Sequence, residues 1–135
     1  MAQNDFQALI DHLHEMAETL LIKQEGEFYP LGAQIDTNGE LTHIALYDGD
    51  EFPLSQTRID QLKSHFKMLV SRNEIKAYAI AYDCLAKKDE NSNKTDAIAI
   101  ECFSIENEQH NTYYFPYRMT PNNKLEFGEA WGIVM

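Results

Sequence analysis

Apolar runs in this sequence are only a few residues long, far short of the ~20 that a bilayer-spanning helix needs. No membrane partner is expected. The opening MAQNDF has neither a basic start nor an apolar stretch behind it, so no signal peptide is read and a cytosolic protein is expected. Cysteine is scarce: Cys84 and Cys102 are the only two, with no CxxC and no Cys/His cluster at zinc spacing. If the segments around them form a hairpin about the polar loop near Asn91, the two are offset along neighbouring strands. A disulfide tolerates Cα atoms no more than about 7 Å apart, so free, mostly buried thiols follow. Basic charge is scarce too, with 11 Lys and Arg against 22 Asp and Glu, a net −11. A negative field repels phosphate backbones, and nucleic acid is therefore not an expected partner. The acidity favours solubility and presents a surface suited to a basic protein.

Signatures of catalysis and cofactor binding are missing as well. There is no GxSxG, no Walker loop, no Rossmann glycine triplet and no EF-hand pattern. Neither a cofactor nor a metal is expected, and the reading leans away from an enzyme.

What is present suits one folded domain spanning residues 1–135. The chain is 44% hydrophobic and 11% aromatic, enough apolar surface to bury a core and to offset the entropy of ordering. From Phe6 the apolar positions Leu9, Ile10, Leu13, Met16, Ala17, Leu20 and Leu21 recur at helical spacing, predicting a helix over about residues 5–24 with Asn4 and Gln7 at its start and Gly26 past its end. The next segment, EFYPLGAQIDTNGELTHIALYD, alternates apolar and polar residues on either side of Asn38-Gly39, a β-hairpin pattern whose return strand carries Ile44 and Leu46. DGDEFP reads as a turn. Ser55 opens a second helix with Ile59, Leu62, Phe66, Leu69 and Val70 on one side, and Asn73 ends it. EIKAYAIAYDCLA, TDAIAIECFSI, NTYYFPYRM and KLEFGEAWGIV then read as strands joined by short polar links. The order α-β-β-α-β-β-β-β predicts an α+β fold with a mostly antiparallel sheet and its helices on one face.

The phrases FYPLGAQID, YAIAYD, DAIAIE, FPYR and EFGE resemble those of a group of small bacterial proteins without an assigned activity. The resemblance covers most of the chain after the first helix and implies a bacterial α+β protein. Size and acidity give a general likeness to immunity proteins of bacterial toxin systems.

Several residues invite a chemical reading. His12 and His14 are two apart, so on a helix they point about 200° away from one another and cannot share an ion. Asp83 interrupts an apolar strand. Alternation puts Ala77, Ala79, Ala81 and Asp83 on one face, with Ala97, Ala99 and Glu101 on the matching face if the registers agree. Asp83 and Glu101, with Arg118 of FPYR, are then candidates for an acid–base site in a small hydrolase or transferase. Rows of alanine under a closely packed helix explain the same pattern without chemistry. Tyr113, Tyr114, Phe115 and Tyr117 lack interleaved basic residues, which argues against nucleic-acid stacking. Tyr78, Ile80, Tyr82, Ile98, Ile100 and Phe115 are expected to form an apolar sheet face that two helices on the other side leave bare. Such a face predicts a homodimer or another protein contact. One helix on each face is the competing arrangement, and a carrier of an apolar small molecule is the other alternative.

Overall fold

Helix α1 spans Ala2–Lys23 and buries the predicted stripe, with Leu9, Leu13, Ala17 and Leu21 fully enclosed. It starts a turn earlier than the Asn4 cap predicts, so Asn4 lies inside the helix. The computed structural model describes residues 2–23, 30–44, 55–91, 93–105, 108–122 and 124–134. Gly26, Leu46 and the DGDEFP turn lie outside them.

Strands β1 (Leu31–Asp36) and β2 (Leu41–Ile44) form the expected hairpin. Its loop holds three residues, Thr37 to Gly39, because Asp36 N–H donates to the Glu40 carbonyl at 3.0 Å. The Asp36 carboxylate accepts from the Asn38 and Glu40 amides, both at 2.9 Å. Gly39 has φ +90°, a conformation that glycine adopts without Cβ strain.

Helix α2 spans Ser55–Ser71. It closes as Asn73 predicts: Asn73 takes φ 58°, its N–H donates to the Val70 carbonyl, and Glu74 N–H donates to that of Leu69. Those two bonds are a Schellman cap, and they satisfy carbonyls that the helix end would otherwise leave open.

Strands β3 (Ile75–Ala86), β4 (Thr95–Ser104) and β5 (Gln109–Met119) make the antiparallel meander. The last predicted strand is broken into β6 (Leu125–Phe127) and β7 (Trp131–Val134), which pair with successive stretches of the same edge of β5. The break is a bulge beside Pro116, whose ring nitrogen donates no ladder bond; Gly128 N–H still reaches the Pro116 carbonyl at 2.9 Å. The β6 register pairs Tyr117 with Phe127, and that of β7 pairs Tyr114 with Trp131, so the side-chain alternation shifts by one residue between them. The sheet order is β2-β1-β3-β4-β5-β6, with β7 beside β5. The chain is therefore an α+β protein with seven antiparallel strands among the described residues.

Register decides which residues share a face, and here it departs from the expectation. Ala79 lies opposite Cys102, Ala81 opposite Ile100 and Asp83 opposite Ile98. The alanine row of β3 thus shares its face with the isoleucine row of β4, and α1 packs on that face. Tyr82 lies opposite Ala99 and Ile80 opposite Glu101, on the other face, where α2 packs. The helices lie one on each side of the sheet rather than both on one. Leu62 and Phe66 of α2 press down on Gly32, where a Cβ would meet Phe66 Cζ at 2.9 Å and Leu62 Cδ2 at 3.0 Å. Only glycine lets α2 sit that close.

This arrangement removes the bare apolar face expected from the sequence. Ile98 and Ile100 are fully buried under α1, and Ile80 is fully buried with Leu62 and Phe66 of α2. Phe115 belongs to the α1 side, 4.9 Å from His14 between ring centroids. Of the six residues, Tyr78 and Tyr82 alone stay partly exposed on the α2 face.

Candidate functional site

Helix α2 packs along β3, and among the described residues no helix lies over β5 or β7 on that side. Three cross-strand rows cross the α2 face. One runs Tyr82, Ala99, Tyr114, Trp131; the next Ile80, Glu101, Thr112, Ile133; the third Tyr78, Phe103, His110. Each row holds residues directly opposite one another, so their side chains touch as cross-strand pairs. Phe66 of α2 stacks on Tyr78 at 4.7 Å, and Tyr78 stacks on Phe103 at 5.2 Å. Tyr114 stacks on Trp131 at 5.3 Å. Ala97 and Ala99 beneath the large side chains are fully shielded. The result is an aromatic surface, half-buried ring by ring, extending from the flank of α2 to the β7 edge.

A carboxylate sits within it. The Glu101 side chain is 12% exposed, 3.5 Å from Lys63 Nζ of α2 and 4.0 Å from His110 Nε2. Burial pushes the Tyr78 and Tyr82 hydroxyls above their ordinary range, and the Glu101 charge adds to it. Tyr114 rises through burial, with Cys84 and Glu101 contributing. The thiols follow: Cys84 is pushed up to about 11 by burial and by Asp83 and Asp96, and Cys102 to about 12 by burial and Glu101. Both cysteines are free, as expected, and they lie on opposite faces. At neutral pH these phenols and thiols stay protonated. A nucleophile needs the opposite shift.

The catalytic candidates do not converge. Asp83 points to the α1 face, where its carboxylate accepts a 2.7 Å hydrogen bond from the Tyr117 hydroxyl. Burial and that bond raise the Tyr117 hydroxyl above its usual range. Glu101 points to the α2 face. Arg118 pairs with Glu126 where both are well exposed, a contact that contributes little stability. Along β5 it stands six residues from Thr112, the partner of Glu101, about 20 Å at strand rise. The sheet itself separates the acid–base pair expected from matching alanine rows.

The histidines meet partners that lie far off in sequence. His12 Nε2 lies 2.9 Å from His43 Nδ1, joining α1 to the edge strand β2, while His14 packs on Phe115 and Phe127. Among the described residues no group of three or more His, Cys, Asp or Glu is placed to hold a metal ion. Burial lowers the pKa of His43 and the His12 ring lowers it further; burial also lowers His14, against Glu18 and Asp11, which raise it. The folded chain then binds fewer protons than the unfolded chain as pH falls below the ordinary value of 6.5, so stability present above that pH is lost below it. The melting temperature is expected to drop between pH 7.5 and 5.5, and less steeply in His43→Gln. Equal slopes in thermal melts of parent and variant would contradict this.

Tyr114, Trp131, Phe103 and His110 join the site without a sequence signal strong enough to group them. Trp131 in particular is turned to the α2 face by the bulge after β6. No helix of the described residues is long and apolar enough to cross a membrane. Comparison with protein-family models, with curated proteins and with solved structures finds no match.

Proposed function

We propose that the chain works by binding another protein and not by catalysis, as a bacterial cytosolic protein of immunity or regulatory type. The observation that carries this reading is the aromatic row Tyr82, Tyr114 and Trp131, which starts at the flank of α2 with Tyr82 and continues through Tyr114 and Trp131 on β5 and β7, where no described helix covers it. Aromatic residues supply large contact area at low rotamer cost and dominate interface energetics. The net charge of −11 favours a basic partner and speeds encounter with it. Glu101, already paired with Lys63, is held as a structural charge within the surface.

The hydrolase or transferase alternative loses the geometry that suggested it, because Asp83 and Glu101 face opposite sides. A carrier needs a void between helix and sheet, whereas the alanines of β1 and β3 bring α1 down onto the strands.

Affinity capture from the host with the parent chain and with Tyr114→Glu tests the reading. A basic protein retained by the parent and lost with the folded variant is expected. Equal retention by both would remove the aromatic row from the interface.

A further inference from the structure

Helix α1 packs on β1, β3 and β4 and leaves a groove along β5, beside the helix rather than beneath it. Two adjoining cavities of about 310 and 340 Å³ lie in this groove and share Gln7 and Ile10. The smaller is lined by Gln109 and Tyr113 of β5; the larger has Asp11, Glu15 and Glu18 of α1 against the Phe115 ring. No Lys or Arg lines either one. Burial lowers the pKa of His14 at the larger cavity, so at neutral pH it adds no positive charge. Asp11 accepts from the Gln7 amide at 2.7 Å, Glu18 faces His14 Nδ1 at 4.0 Å, and the Glu15 carboxylate has no partner among the described residues.

The Tyr113 end of the groove also holds buried polar atoms left open. Asn111 stands between Gln109 and Tyr113 on the same face of β5 and is 7% exposed. Its Nδ2 donates to the Tyr113 hydroxyl at 2.9 Å, which turns the amide towards the cavity. Its Oδ1 has no partner among the described residues, and neither has Oγ of the buried Ser104, opposite Gln109 on β4. Buried polar atoms are nearly always paired, so open ones beside a cavity mark a place for a group from outside the chain.

We propose that this groove binds a linear aliphatic polyamine. A terminal ammonium donates to Asn111 Oδ1 at the Tyr113 end, and the following amines reach the carboxylates of α1. Helix rise sets Asp11 and Glu15 about 6 Å apart along the axis and Glu15 and Glu18 about 4.5 Å apart. Those are the spacings of amines joined by four and by three methylenes. The methylene stems lie on Ile10 and Phe115, a contact that a hydrated metal ion cannot make. An anion would be repelled by three carboxylates with no Lys or Arg beside them, and a neutral apolar molecule would leave Asn111 Oδ1 open. The net charge of −11 draws such a ligand in. The site lies on the α1 face, across the sheet from the aromatic row, and stands whether or not a protein binds that row.

Calorimetric titration of the purified chain with spermine at low salt tests this. Saturable one-to-one binding is expected, weaker with spermidine and much weaker with magnesium ion. Glu15→Gln and Glu18→Gln together should weaken spermine about ten-fold, the loss of two exposed ion pairs near the upper end of their range. Glu40→Gln with Glu90→Gln makes the same change in net charge at exposed loop positions and should weaken it about two-fold at most. Asn111→Leu should weaken it several-fold with the circular dichroism of the parent, since an apolar side chain of similar size replaces a buried amide that is only half satisfied. Absence of spermine binding below millimolar concentration would overturn the proposal. Equal weakening by the two double variants, or equal binding of magnesium ion, would overturn it too. Tyr114→Glu should bind spermine as the parent does, so failure of this site and failure of the aromatic row are told apart.

Discussion

Phe66→Ala is expected to lower stability by about 3–5 kcal/mol, the range for a fully buried aromatic truncated to alanine. Phe66 is completely enclosed, stacks on Tyr78, and fills the space over Gly32 together with Leu62. Its removal leaves a cavity between α2 and β1–β3 that α2 cannot close by moving down, because Leu62 still rests against Gly32. The loss should also loosen the row Tyr78, Phe103 and His110, which begins at the Phe66 ring. Urea melts check the magnitude, and a loss under 1 kcal/mol would mean that α2 does not pack on this face.

Leu13→Ala should cost about 2–5 kcal/mol by the same cavity argument. Leu13 lies in the middle of the α1 stripe, fully buried above Ala33, Ala77, Ala79 and Ala81. Alanines opposite cannot extend to fill a void. Because Leu13 and Phe66 sit on opposite sides of the sheet with no shared partner, the double variant should lose the sum of the two within about 0.5 kcal/mol. A coupling well above that would place both helices in one core.

Both helices were legible in the sequence because their signals are local. The α1 stripe repeats at helical spacing from Phe6 to Leu21, about four turns, and Asn73 marks a cap whose bonds all fall within six residues. The hairpin at Gly39 was legible for the same reason, although its loop carries one residue more than the dipeptide suggests. Which strand residues share a face is not local. The link between β3 and β4 runs from Lys87 to Lys94, eight residues, and an even number sets odd positions of β3 against even positions of β4. One residue more or fewer would have matched alanine with alanine, as the sequence pattern invited. A shift of one flips every side chain to the other face. That single parity separated Asp83 from Glu101, buried Ile98 and Ile100 under α1, and removed the bare sheet face on which the dimer expectation rested. The bulge beside Pro116 did the same to Trp131, and the contact of His12 with His43 spans 31 residues that no local pattern connects.

The same geometry supplies the most direct test of the proposed function. The chain has one tryptophan, Trp131, and it stands in the aromatic row, so its fluorescence reports on that surface alone. Acrylamide quenching should be substantial for the free chain at a concentration where it is monomeric, since the residue is only half-buried. Adding the basic protein captured by the parent should cut the quenching sharply and leave Tyr114→Glu unaffected. Quenching of the parent that is unchanged at saturating partner would contradict the account and move the interface off the α2 face.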